Sequence, residues 1–117
     1  MQQGDAGLTL VKGVISGRAT AEKLAKYSAQ HGFRPWSLDT GCDWKRPCLF
    51  KPGLYGPHTH PVNEAVYVKS GIITVTDVKS NTRVIAYEGD LIKIRRNREH
   101  VESTETPTAF GVLFEFD

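Results

Sequence analysis

From Arg34 onward the chain falls into short runs rich in valine, isoleucine and aromatic residues, separated by Gly, Pro, Asn and Asp at intervals of roughly ten residues. That texture predicts strands near Pro35–Leu38, Pro47–Lys51, Glu64–Lys69, Ile72–Val78, Thr82–Glu88, Asp90–Arg95, His100–Thr104 and Thr108–Phe116. Gly71 and the Lys79–Asn81 segment supply turns between them. In the last run Phe110, Val112, Phe114 and Phe116 share one face, as a packed interior face does under period-two alternation. One helix precedes the strands. In TAEKLAKYSAQHG, Thr20 is placed to cap the N-terminus, Ala21, Leu24 and Ala25 lie on one face, and Gly32 stands where a C-terminal cap belongs. Before it, LTLVKGVI, residues 8–15, reads as a strand-like arm that could pair with the sheet edge of a neighbouring copy, so a homodimer is one expectation.

At 117 residues the chain suits one hydrophobic core, which predicts a single domain over 1–117: an arm and helix over 1–33, then an all-β unit over 34–117. Apolar content of 39% and charged content of 24% are ordinary for globular chains and argue against disordered or fibrous classes. A formal charge of +2 gives no general surface for nucleic acid or membrane. No apolar run approaches the roughly 18 residues of a spanning helix, and the first ten residues lack a secretory pattern, so a cytoplasmic location is expected. Cys42 and Cys48 match neither redox nor zinc-finger spacing and read as reduced structural thiols, with a local disulfide as the alternative.

The candidate chemistry lies in HTHPVNE, residues 58–64, which holds two of the four histidines. On an extended strand His58 and His60 leave the same face, whereas on a helix they diverge by about 200°. Pro61 argues against helix. If the strand runs on without a bulge, Glu64 turns inward with them, ahead of Val66 and Val68, and a bare carboxylate there is costly unless paired or coordinated. The i, i+4 spacing of His60 and Glu64 also fits a helix, a reading that the β-branched residues after them disfavour. A third imidazole, His100, follows the arginine-rich turn Arg95–Arg98, and strand pairing could bring it to the first cluster. His31 reads as an ordinary surface or hydrogen-bonded residue.

These residues resemble the two motifs of the cupin superfamily. The first reads Gly53, four residues, His58, Thr59, His60, three residues, Glu64, six residues, Gly71; only the first spacing departs, by one residue. The second matches at Gly89 and His100 but carries Arg95, Asn97 and Thr104 where the family has proline, glycine and asparagine. Asn97 can adopt the left-handed turn conformation that glycine favours. The resemblance implies an all-β jelly-roll barrel with one short N-terminal helix, and a divalent metal held by His58, His60, Glu64 and His100. Such a donor set suits iron, manganese, nickel, cobalt, copper or zinc and does not select among them. A six-coordinate ion would keep two further positions.

Around the metal, Phe50, Tyr55, Phe110 and Phe114 are candidates for an apolar pocket wall, with Trp36 and Trp44 as further aromatics, and Arg95 and Arg96 stand where guanidinium groups could grip an anionic ligand. Most of these aromatics serve equally well as core. The resemblance implies a metal-dependent enzyme acting on a small metabolite, with dioxygenase, isomerase, lyase or cyclase chemistry; a protein base would have to be Tyr55 or Glu102, failing which metal-bound hydroxide serves. The alternative is a module that binds or senses a metal or metabolite without converting it.

Overall fold

The computed structural model describes residues 7–13, 20–31, 33–35 and 48–115. In chain order the elements are β1 (Leu8–Val11), α1 (Thr20–His31), β2 (Phe33–Pro35), β3 (Cys48–Phe50), β4 (Gly53–His58), β5 (Glu64–Ser70), β6 (Ile72–Asp77), β7 (Thr82–Tyr87), β8 (Leu91–Ile94), β9 (His100–Thr104) and β10 (Thr108–Glu115). Two antiparallel sheets result. One runs β1-β8-β5-β10-β2, with β3 also paired to β10, and the other runs β4-β9-β6-β7.

The sheets face each other across one apolar layer. Leu8, Val66, Val68, Ile92, Ile94, Phe110 and Val112 from the larger sheet meet Ile73, Val75, Val84 and Ala86 from the smaller. This is the jelly-roll arrangement, although the two sheets do not close into one continuous hydrogen-bonded barrel among the described residues. The intervening residues of the larger sheet also find cover: Ala65, Tyr67, Leu91 and Leu113 pack with Leu24 of α1. β5 is consequently buried on both faces, and its near-continuous apolar run is the sequence signature of that position. On the smaller sheet Leu54, Ile72, Ile85 and Tyr87 are exposed instead.

Several expectations need correction. The helix buries Leu24 and Ser28, with Tyr27 half-buried, while Ala25 is exposed; its packed face is rotated from the one expected. The arm pairs with β8 of its own chain in the register Leu8↔Ile94 to Val11↔Leu91, which puts Leu8 into the core and makes β1 an edge strand of the larger sheet. Cys48 is disulfide-bonded rather than a reduced thiol. β4 was absent from the expected strands because GLYGPH carries two glycines and a proline. Trp36–Leu38, Gly32, Cys42, Trp44 and Phe116 lie outside the described residues.

Turn chemistry follows residue type where the backbone demands it. Asn97 adopts φ 59, so it takes the left-handed place of the family's glycine. At Gly111 the demand is for space: Tyr67 lies directly opposite on β5 and its ring occupies the volume that a Cβ would need.

No helix among the described residues is long and apolar enough to cross a membrane.

Candidate metal centre

The site forms where the ends of the two sheets meet. His58 ends β4 and His100 opens β9, and these residues are direct cross-strand partners on the smaller sheet. Glu64 opens β5 on the larger sheet. The seven-residue stretch therefore crosses from one sheet to the other instead of forming one strand; the extended segment stops at His58, and Pro61 sits in the bend that follows. Glu64 nonetheless turns inward ahead of Val66 and Val68, as its parity on β5 requires.

Two hydrogen bonds fix the His60 loop. Asn97 N–H donates to the His60 carbonyl at 2.8 Å, and Arg96 N–H donates to Asn63 Oδ1 at 2.7 Å. The turn before His100 is thus fastened to the loop that carries His60. The sequence alone does not assign Asn63 this role, although an asparagine two positions after a proline in a loop is the kind of residue that makes such bonds.

The outcome is a compact group in which His58, His60, Glu64 and His100 each offer one donor atom within 4.8 Å of the others. His60 Nε2 is 3.4 Å from Glu64 Oε2 and His100 Nε2 is 3.1 Å from Glu64 Oε1. His100 and Glu64 are 1% and 3% exposed, so water does little to relieve them. The Nδ1–H of His100 donates to the Arg98 carbonyl at 2.9 Å, which leaves Nε2 of the neutral ring as a bare lone pair. That lone pair faces a carboxylate oxygen, and neither atom has a hydrogen-bond partner. Two buried acceptors this close need something positive between them, either a proton or a metal ion.

Burial opposes charge on His100, yet the hydrogen bond that its protonated ring would donate to Glu64, the Arg98 carbonyl and the charges of Glu64 and Glu102 raise its pKa above the ordinary 6.5. A proton on Nε2 therefore competes with a metal ion for the gap.

Behind the carbonyl of Arg98 lies a buried ion pair. The Arg98 guanidinium donates to Asp77 through Nε at 3.0 Å and through a terminal nitrogen at 2.5 Å. Ser80 adds its N–H at 3.0 Å and its hydroxyl at 2.6 Å. Asp77 is the cross-strand partner of His100 on β6, so the pair clamps the backbone on either side of that histidine. Sequence reasoning missed this support, since Arg98 reads there only as part of an arginine-rich turn.

A cavity of about 250 Å³ opens onto the cluster, lined by His58, His60, Glu64 and Glu102 at one end. Phe50, Tyr55, Phe110 and Val112 are among its apolar walls, with Phe50 stacked on Tyr55 at 4.2 Å and packed against Phe110 at 4.1 Å. The Tyr55 hydroxyl donates outward to the Lys51 carbonyl at 2.7 Å. Arg95 is exposed and Arg96 half-buried, and neither is among the described lining residues. For Phe114 the backbone pairs with Glu64 and Arg34, and its side chain lies outside the description. Glu102 is buried beside the cluster, with Oε1 3.0 Å from His58 Nε2.

Comparison with known proteins gives a consistent fold. The family model described as "Cupin domain" matches residues 48–114. A DUF861 family protein from Thermotoga maritima is similar in structure over 90% of this chain and 96% of its own, with a TM-score of 0.58 and 15% identity. The Cupin_2 domain of an XRE family transcriptional regulator from Enterobacter cloacae aligns over 95% of this chain and 98% of its own, with a TM-score of 0.51 and 14% identity. The EutQ protein of Clostridium difficile aligns over 57% of this chain and 51% of its own, with a TM-score of 0.52 and 21% identity. At these identities the likeness is one of fold. No curated protein sequence matches the chain.

Proposed function

The chain belongs to the cupin family, and on that premise we propose that it holds one divalent transition metal through His58, His60, Glu64 and His100 and uses it to transform a small metabolite in the adjoining cavity. The observation that carries this reading is the pair of orphaned buried atoms, Glu64 Oε1 and His100 Nε2, pointed at each other 3.1 Å apart. A divalent ion satisfies both at once, and the donor set of three imidazoles and a carboxylate suits iron, manganese, nickel, cobalt, copper or zinc.

Such an ion would supply Lewis-acid polarisation of a carbonyl or enol oxygen, or a site for oxygen activation. The chain's own contribution is positional. The Arg98 carbonyl holds the His100 ring in the tautomer that presents Nε2, and Phe50, Tyr55 and Phe110 give the cavity an aromatic wall. A volume near 250 Å³ falls below the usual range of about 300–1,000 Å³ for ligand pockets, which favours a substrate of few atoms. Arg95 and Arg96, the residues expected to grip an anionic ligand, are not among the described lining residues.

The test is metal content of protein purified without chelators, with calorimetric titration of the wild type and of His60→Ala. About one equivalent in the wild type and none in the variant is expected; equal uptake by both refutes the assignment. A second reading, a module that binds without converting, draws on the Tyr55 hydroxyl being engaged with Lys51, which leaves Glu102 as the one described lining group outside the four proposed ligands that is placed to move a proton. Metal-dependent turnover of a carbonyl, enol or catechol compound, lost in His58→Ala, decides between them.

A further inference from the structure

Glu102 is the one charged residue of the cavity that the four-ligand set leaves without a role. Alternation along β9 sends His100, Glu102 and Thr104 inward together. Glu102 is only 5% exposed, and its Oε1 lies 3.0 Å from His58 Nε2 and 3.8 Å from His100 Nε2. For bonds of about 2.0–2.2 Å to a common ion, donors at right angles stand about 3.0 Å apart and opposed donors about 4.2 Å apart. The 3.4 and 3.1 Å separations between Glu64 and its two imidazoles fall in this interval. Those from Glu102 do as well. Its carboxylate is therefore spaced from His58 and His100 as a ligand of the same ion would be, although it stands outside the group whose donor atoms all lie within 4.8 Å of one another.

Charge points the same way. The described lining contains two carboxylates, Glu64 and Glu102, and no lysine or arginine. Against apolar walls, two buried carboxylates are costly unless neutralised, and one divalent cation cancels both charges.

We propose that Glu102 is a fifth protein ligand of the centre, which makes the donor set three histidines and two glutamates. This inference rests on the metal-binding reading above. It also narrows the substrate: a six-coordinate ion with five protein donors keeps one exchangeable position, and the loaded centre carries no net charge. The fitting ligand is a small neutral molecule that binds through a single oxygen or nitrogen, not a chelating dianion.

Mn²⁺ alone is the probe. Affinity for it is measured by calorimetry in the wild type, Glu102→Ala, Glu102→Gln and His60→Ala, together with the water-proton relaxivity of each loaded protein, which counts the waters bound to the ion. The expected result is at least about a tenfold loss of affinity in both Glu102 variants, with folded circular dichroism spectra. Inner-sphere relaxivity should rise about twofold in Glu102→Ala as a second water enters. A residue that merely orients His58 would also cost affinity on removal, but it would leave the bound-water count unchanged, and that result overturns the proposal. If Glu102→Ala binds Mn²⁺ like the wild type while His60→Ala does not, the fifth ligand is refuted and the four-ligand centre stands. If the wild type takes up neither Mn²⁺ nor Zn²⁺ in the same titration, both fall.

Discussion

Arg98→Ala tests how the ligand turn is held. The substitution leaves Asp77, which is 0% exposed, without the guanidinium that neutralises it. Removing one partner of a buried pair typically costs about 3–5 kcal/mol. Here Ser80 keeps two hydrogen bonds to the stranded carboxylate, and the Arg98 side chain is itself 20% exposed, so a loss of about 2–3 kcal/mol is expected. For a chain of this length that lowers Tm by about 8–12 °C. Thermal and urea unfolding of the metal-free protein measure it, with Asp77→Ala and the double variant completing a cycle. Acid supplies a second check. Burial pushes the Asp77 carboxyl up, but the hydrogen bonds from Arg98 and Ser80 and the Arg98 charge more than reverse this, holding it below its ordinary 3.8. A carboxyl depressed in the folded state stabilises above its unfolded pKa and loses that contribution as pH falls through the folded value. The gap between wild type and Arg98→Ala should hence be full at pH 6 and narrow below about pH 4. A loss under about 1 kcal/mol at pH 6, or a gap that survives acid unchanged, would refute the clamp.

Three further outcomes follow from the geometry. Metal affinity should decline as pH falls, beginning above the ordinary histidine value of 6.5, because the raised pKa of His100 lets protons compete early; equal occupancy at pH 5 and pH 8 in a titration would contradict this. In the metal-free protein the same raised pKa stabilises at low pH and is lost as pH rises through the folded value, so the metal matters most where the proton has gone. Gly111→Ala should cost about 3 kcal/mol or more in urea unfolding, since the new methyl must displace the buried Tyr67 ring. Arg95→Ala and Arg96→Ala should leave metal affinity within about twofold by calorimetry, because neither is among the residues lining the described cavity.

Much of this architecture was legible because valine- and isoleucine-rich runs bounded by turn residues have few other uses; β5 to β10 each match an expected run to within about two residues. β4 was not legible. Its GLYGPH sequence has poor strand propensity, and its pairing with β9 supplies what local preference lacks. The four proposed ligands could be named from the resemblance to the cupin motifs, but the strand parity offered for their convergence was incomplete. Parity on one strand does not bring His58 to Glu64; a change of sheet between them does, and only the topology reveals it. Arg98 and Asp77 were hidden for a similar reason, being twenty-one positions apart and joined through a cross-strand pair. Glu102 was within reach, since its separation from His100 by two positions on a strand already puts both on one face.

The change of sheet carries an energetic consequence. Glu64 belongs to one sheet and His58 and His100 to the other, and among the described residues no strand of one sheet pairs with a strand of the other. At this end the core gives way to polar side chains, so the two layers are held there by the ligand cluster and by the bonds from the Asn97 turn. A metal ion bound by both sides is in effect a cross-link, and it binds the folded chain alone because the unfolded chain cannot assemble four donors from both layers. At a free concentration one hundred times Kd the stabilisation should be about 2.7 kcal/mol, or about 10 °C in Tm for a chain of this length. Differential scanning fluorimetry over a series of metal concentrations gives the slope directly. His60→Ala should abolish the shift while keeping the metal-free Tm within a few degrees, since the ring is half-exposed and takes no part in the apolar layer. A Tm that ignores metal in the wild type would mean the two layers are already locked at this end, and the coupling between binding and folding argued here would be wrong.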